Sequence, residues 1–460
     1  MKNLITTLKN IWKIEDLRTR ILVTLGFILI YRLGAQVPLP GIDASVLAAA
    51  NEASGGPDGL LGLLNLFTGG AFAQASIFAL GIMPYISASI VIQLMGVAVP
   101  YFQKLQREGE SGRRKINNIT RYLTILITGF QAPGFVANLK SQWLNKPIQM
   151  ADGIGYVFAN NEASIMFTIM SVLVLVTGTM FVMWLGEKIT DRGVGNGISL
   201  IIMIGIIAAL PGSLFAEFAA ALESQGGGLV IFLVEILALM LVILVSILLV
   251  QGTRRIPVNF AKRVVGNKQY GGVRQYIPLK VNASGVMPII FAQAIMFVPI
   301  TLVGFSESET LQGFAAAFTD FAGFWYNLVF FLMIVIFTYF YTAITVNPKQ
   351  MADDMKKNGG FIPGVKPGRK TAEFLDDAMS KITLPGSLFL AFVAILPAFA
   401  MQFGVNQGFA QFYGGTSLLI MVGVVLDTLQ QIESHLLMRH YDGLTSTGRI
   451  KGKSSGMMGQ

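Results

Sequence analysis

The sequence predicts an all-α polytopic membrane protein with ten transmembrane helices, and a recurring element suggests that they form two inverted five-helix repeats. Three observations predict it. Hydrophobic residues make up 53% of the 460 residues and charged residues only 13%, with a mean hydropathy of +0.62, well outside the composition of soluble domains. Apolar runs of roughly 20 residues, long enough to cross a hydrocarbon core, recur ten times. A short element, Gly-x-Met-Pro, occurs at Gly81 to Pro84 and again at Gly285 to Pro288, in the second run of each set of five.

The runs cover residues 20–37, 75–99, 122–138, 163–184, 194–211, 228–250, 283–304, 323–345, 384–402 and 414–436. Lys and Arg orient them, because short translocated loops avoid both residues. Of the 34, all but three lie in the segments 1–20, 101–121, 185–193, 251–280, 346–381 and 437–460. The exceptions are Lys140 and Lys146 in the opposite loops and Arg32 within the first span. Both termini are therefore expected on the cytoplasmic side. The first 20 residues lack a signal-peptide apolar core and cleavage site, so insertion is expected to start from an uncleaved first span. Trp184 and Trp325 fall near span ends, where an interfacial aromatic belt would place them, although chance placement explains them equally well.

Composition also excludes chemistry. The chain has no cysteine, which removes disulfides, thiolate catalysis and cysteine-ligated zinc or iron–sulfur sites. His435 and His440 read as interfacial or solvated side chains, so no metal and no cofactor is assigned. The nearest approach to a phosphate loop, GVKPGRKT from Gly364 to Thr371, has Arg369 where the second glycine belongs and no preceding strand. No zinc-protease pair or serine elbow occurs. The protein is not expected to be an enzyme, and energy must come from a partner or a gradient.

A proline within an apolar run removes a backbone donor and crowds the preceding turn, so the spans at Pro84 and Pro288 are expected to bend or break. Interrupted helices in matching positions of two oppositely oriented halves mark the seam of an inverted repeat. Two four-residue matches alone are equally consistent with the ordinary frequency of Pro and Gly in membrane helices. A secondary transporter of a small solute is the competing class, and it would place ionisable groups near the midplane. Arg32, Glu235 and Asp427 are the candidates, and their positions do not cluster. The polar residues that recur in the second and seventh spans are uncharged: Ser87, Ser89 and Gln93 in one, Asn282, Ser284 and Gln293 in the other. Such groups can bond across helices at only about 1 kcal/mol each, which suits a seam that opens.

Ile82, Ile86 and Ile90 form one stripe of a helix. The spacing fits packed or lipid-facing aliphatics, and it also fits a hydrophobic constriction that blocks ions by dewetting. Ahead of this span, GLLGLLNLFTGG from Gly59 to Gly70 is apolar but spans only ~18 Å as a helix, too short to cross. Flanking glycines allow it to hinge, and Asn65 is its polar group. A surface amphipathic helix is the alternative.

Long stretches carry a family resemblance: FTGGAFAQASIFALGIMPYISASIVIQL (67–94), EGESGRRK (108–115), TGTMFVMWLGEKITDRGVGNGISLII (177–202), LKVNASGVMPIIFA (279–292) and YGGTSLLI (413–420). Through them nearly the whole chain resembles the SecY family, the central subunits of protein-translocation channels. The resemblance implies ten helices in two inverted halves, residues 1–211 and 228–436, around an hourglass pore in a bacterial inner membrane. It also implies a passive channel for unfolded secretory chains, with lateral release of membrane-protein helices.

Residue by residue, the resemblance puts a pore ring on Ile82, Ile86, Ile202, Ile290 and Ile420, with Leu418 as a further contributor. It makes residues 60–72 a plug, with Leu63, Asn65 and Phe67. Ser87, Ser89, Gln93, Asn282, Pro288 and Gln293 become lateral-gate residues. Two long basic loops, 251–282 and 346–383, become docking sites for the ribosome and the SecA motor, through Arg254, Arg255, Lys262, Arg263, Lys268 and Arg274 in the first and Lys366, Arg369 and Lys370 in the second. Lys366 stands where the family usually has Arg, which keeps charge but loses the planar fork. Further implied partners are SecE and SecG, signal sequences and nascent chains, SecDF, YidC and membrane lipids. The tail, 437–460, is expected to be disordered.

Overall fold

The computed structural model describes residues 12, 14–53, 59–144, 146–150, 153–158, 164–223, 228–260, 263–265, 268–270, 274–303 and 322–447. The first half contains α1 (Glu15–Ala35), α2 (Ala44–Ala53), α3 (Gly59–Thr68), α4 (Met83–Ala98), α5 (Pro100–Arg107) and α6 (Glu110–Trp143). A small hairpin of β1 (Ile148–Met150) and β2 (Gly153–Gly155) precedes α7 (Ile165–Arg192) and α8 (Gly197–Glu223). The second half contains α9 (Gly228–Gln251), the strands β3 (Thr253–Phe260), β4 (Arg263–Val265), β5 (Lys268–Tyr270) and β6 (Arg274–Lys280), then α10 (Met287–Val303) and α11 (Phe324–Thr345). It ends with α12 (Pro348–Lys357), β7 (Gly360–Phe361), α13 (Arg369–Gln402), α14 (Gln407–Ala410) and α15 (Gly415–Thr447).

Helices occupy all ten expected spans. Seven are long and apolar enough to cross a membrane, and α4 with α5 makes an eighth candidate, bent by 100°. α10, at 17 residues, and α1, with charged residues at both ends, occupy the other two. The packing repeats between halves. In the first, α1 packs on α7, α4 on α6, α6 on α7 and α7 on α8. In the second, α9 packs on α13, α10 on α11, α11 on α13 and α13 on α15. These are the same pairs shifted by five spans, as an internal repeat requires. The halves join where α8 packs on α9 and α15.

The Gly-x-Met-Pro elements differ from expectation in an instructive way. Neither proline interrupts a helix; each sits in a first turn, Pro84 in α4 and Pro288 in α10. The first four N–H groups of a helix lack intrahelical partners, so a proline there loses no bond. The chain enters each helix through a glycine of positive φ, Gly81 at +52° and Gly285 at +64°, a conformation other residues reach only with strain. The second span is consequently helical only from Met83, after a run of turns.

Two other boundaries move. α13 starts at Arg369, so the second basic loop is shorter than 346–383, and it already contains α12 and β7. α12 has a clear start signal: Asn347 Oδ1 accepts from Gln350 N at 3.2 Å, with Pro348 in the first turn. α15 remains helical to Thr447, so the expected disordered tail is helical over 437–447; residues 448–460 lie outside the described residues.

On the Lys/Arg-rich side, β3 lies between β6 and β7, antiparallel to both, with Ile256 opposite Ile277 and Asn259 opposite Phe361. Ile256, Val258, Leu279, Met355, Ile362, Leu375, Met379 and Ile382 form one apolar core. The two basic loops and the start of α13 are thereby one folded unit.

Candidate pore, plug and gate

The five expected ring residues come from distant parts of the chain and meet in one place. Ile82, just before α4, Ile202 of α8 and Ile420 of α15 are buried in a single apolar cluster, and Ile86 of α4 and Ile290 of α10 pack against it. Leu418 does not join them; it is buried in the second half's own core with Ile289, Met296 and Leu390. Two residues apart on a helix means about 200° of rotation, so 418 and 420 cannot face the same way.

The end of α3 enters this cluster. Leu66 and Phe67 are 5% and 7% exposed within it. Asn65 works at the turn that follows: its Oδ1 accepts from Ala73 N at 2.9 Å, and its carbonyl accepts from Gly70 N at 2.9 Å and Thr68 Oγ1 at 3.1 Å. Asn65 thus ties the short helix to the segment leading into α4. Leu63 lies on α3, with its side chain outside the described residues.

Among the expected gate residues, Ser87 Oγ donates to Met83 O at 3.2 Å within α4, and Gln93 Nε2 donates to Ser89 Oγ at 3.2 Å. Ser284 Oγ donates to Asn282 Oδ1 at 3.2 Å ahead of α10. Pro288 is buried. Gln293 is buried in a small pocket lined by apolar residues such as Phe330, Ala394 and Pro397 together with Tyr326, Gln411, Thr416 and Ser417, all of the second half. The structure does not bring it to Gln93.

The closer link was not anticipated. Tyr341 of α11 donates to Gln93 Oε1 at 2.8 Å, and its ring meets Phe291 of α10 at 5.7 Å. A tyrosine within an apolar aromatic run carries no spacing signal, and its partner is 248 residues away.

The basic residues divide by their surroundings. Arg254 and Arg255 are exposed on β3, and Lys366 is exposed ahead of α13; none is ion-paired among the described residues. Arg369 and Lys370 instead share Glu373, at 3.1 and 3.3 Å. The Lys370 ammonium, hydrogen-bonded to Glu373, holds that carboxyl below the usual range, and Arg369 adds to the effect. Arg263, Lys268 and Arg274 lie on β4, β5 and β6, with side chains outside the described residues, as is the whole of Lys262. Among the described residues no group of three or more acidic or histidine ligands could hold a metal.

Comparison with known proteins places this arrangement. Residues 76–429 match the SecY family. The protein translocase subunit SecY of Streptomyces coelicolor is 43% identical over 448 residues, covering 96% of this chain and 99% of that one. Its counterpart in Mycobacterium tuberculosis is 44% identical over 441 residues, covering 93% and 97%. The fold is similar to the structure of a protein-conducting channel, with 17% identity, 94% and 95% coverage and a TM-score of 0.60. It is also similar to Sec61 in a canine ribosome–channel complex, with 16% identity, 94% and 95% coverage and a TM-score of 0.57. A match across most of the chain, with full-length relatives well above 30% identity, means that the chain belongs to the SecY family.

Proposed function

We propose that this chain is the pore subunit of a protein translocase, a passive channel that passes unfolded chains across a bacterial inner membrane and releases apolar helices sideways into lipid. One observation carries the reading most directly: five isoleucines from four separate elements converge on a single cluster beside the junction of the two halves, and the end of α3 packs into it. An aliphatic ring fits passing side chains of many kinds because its contacts are non-directional, while it gives ions nothing in place of their hydration shell. With α3 seated in the same cluster, the ring is closed.

The path sideways runs between α4 and α10, which pack on α6 and α11 in their own halves rather than closely on one another. The folded basic unit, with Arg254, Arg255 and Lys366 in no ion pair among the described residues, is the docking surface for a motor ATPase of the SecA kind and for the ribosome. Arginine and lysine there suit phosphate contacts to ribosomal RNA. By their place in the first basic loop of the sequence, Lys262, Arg263, Lys268 and Arg274 are assigned the same role. SecE and SecG complete the channel, SecDF and YidC assist it, and anionic lipids surround it. Both termini lie in the cytoplasm. Energy comes from the motor, the ribosome or a proton gradient.

The three ionisable candidates, Arg32, Glu235 and Asp427, have separate neighbours. Arg32 donates to Gly69 O at 3.0 Å, Asp427 accepts from Gln431 Nε2 at 3.2 Å, and Glu235 lies near Glu217. The test is crosslinking of an arrested secretory precursor carrying photoreactive groups to the chain reconstituted with SecE and SecA. Adducts at Ile86, Ile202 and Ile290 that vanish without SecA or ATP are expected. Their absence beside an active control channel would overturn the reading, and gradient-driven uptake of a small solute would replace it.

A further inference from the structure

We infer that Tyr31 and Arg32, adjacent residues of α1, form a latch that holds the C-terminal turn of α3 closed by gripping its backbone. The inference rests on reading α3 as the channel's plug.

Helix ends leave four carbonyls without intrahelical partners, and the dipole makes that end partially negative. Four carbonyls at the end of α3 and in the turn after it have identified donors. The Asn65 carbonyl accepts from Gly70 N and Thr68 Oγ1, and the Leu66 carbonyl from Gly69 N. Those of Thr68 and Gly69 turn to α1: Tyr31 Oη donates to Thr68 O at 3.2 Å, and Arg32 Nη1 donates to Gly69 O at 3.0 Å.

Arg32 is a cation inside an apolar span, and among the described residues no carboxylate pairs with it. An ionisable residue in such a place is expensive unless a partner satisfies it. Here the partner is the negative end of a short helix. Tyr31, 1% exposed, is held by its ring, stacked on Phe78 at 6.0 Å, so its hydroxyl is aimed before α3 arrives.

The opposite wall is bare backbone. A Cβ on Gly69 would come within 2.8 Å of Gly205 Cα of α8, and a Cβ on Gly205 within 2.7 Å of Phe67 O. The turn 67–69 therefore sits in a slot with two donors on one side and a side-chain-free helix surface on the other. Everything the slot recognises in that turn is backbone. The latch is thus independent of the plug's side chains, and withdrawal of α3 would leave a tyrosine hydroxyl and a guanidinium facing the vacated space, favouring its return.

The test uses the absence of cysteine in the chain. Phe67→Cys supplies the sole thiol, and the full-length protein reconstituted in liposomes is labelled with a membrane-impermeant maleimide while ion flux is recorded from the same vesicles. Arg32→Gln is expected to raise the labelling rate roughly tenfold, as for loss of a charged hydrogen bond. Tyr31→Phe, which keeps the ring stack and removes only the hydroxyl, is expected to raise it about twofold or more. Arg32→Lys should fall between parent and Arg32→Gln, retaining charge but not the fork. Unchanged labelling in both Tyr31→Phe and Arg32→Gln overturns the latch, whatever the flux. Faster labelling with unchanged flux leaves the latch standing and removes α3 as the seal.

Discussion

The hydroxyl of Tyr341, on α11 in the second half, donates a 2.8 Å hydrogen bond to Gln93 Oε1 of α4 in the first. The same ring lies against Phe291 of α10, so Tyr341 spans the seam between the two proposed gate helices. A neutral hydrogen bond contributes about 0.5–1.5 kcal/mol. Tyr341→Phe keeps the ring contact and removes that bond, so the open population should rise roughly two- to tenfold. Transport of precursors with weakened signal sequences should accelerate accordingly in reconstituted vesicles. An unchanged rate would place the gate's closing contact elsewhere.

Asp43, exposed just ahead of α2, caps that helix. Its Oδ1 accepts from Ser45 Oγ at 2.6 Å, Ser45 N at 3.0 Å and Val46 N at 3.4 Å. The Ser45 hydroxyl first, and then its N–H, hold the carboxyl below the usual carboxylate range. A depressed folded value means the cap's contribution is fully present above the usual carboxylate range and is lost as pH falls through the lowered one. Hydrogen exchange at Val46 and Leu47 should therefore show α2 opening more readily only in acid. Asp43→Ala should open it at neutral pH too, by about 1 kcal/mol, and Asp43→Asn should abolish the pH dependence.

Spans were legible because twenty apolar residues and the distribution of Lys and Arg are properties of the chain itself. Their ends were less so. α13 begins at Arg369 rather than 384 because its first turns pack Leu375 and Met379 against the strands of the basic unit, a tertiary contact that hydropathy does not register. The Gly-x-Met-Pro pair marks a local change of backbone, but not the expected one: each proline starts a helix. Within the site, spacing could suggest Ile82 and Ile86, one turn apart, whereas Ile202, Ile290 and Ile420 entered only through family resemblance. Tyr31 and Tyr341 were invisible, since a single polar atom in an apolar helix has no period and its partner is fixed by the fold.

Lys366 and Lys370 are neighbours in sequence with different electrostatic situations. Lys370 shares Glu373 with Arg369, while Lys366 is exposed and unpaired among the described residues. A partner's acidic group must displace Glu373 to reach Lys370 and meets no such competitor at Lys366. Lys366→Ala should therefore reduce motor-driven precursor transport more than Lys370→Ala. Lys366→Arg should match or exceed the parent, because the planar fork can hold a carboxylate or phosphate with two parallel N–H bonds. Equal losses in the two alanine variants would mean that net charge on the loop, rather than a specific contact, is what the motor reads.

The ring and the second half's core can be separated by one comparison. Ile86 and Ile290 pack on the cluster shared with the end of α3, whereas Leu418 is fully buried among α10, α11, α13 and α15 residues. Truncating any of them creates a cavity, and buried Leu or Ile to Ala changes cost about 2–5 kcal/mol. If the ring is the ion barrier, Ile86→Gly with Ile290→Gly should raise ion leak from liposomes, because smaller side chains widen the constriction and let it stay wet. Leu418→Ala should lower thermal stability by a similar amount with no added leak. Leak that simply follows stability across these variants would show that loosened packing, not a widened ring, admits the ions, and the pore would have to be sought elsewhere in the cluster.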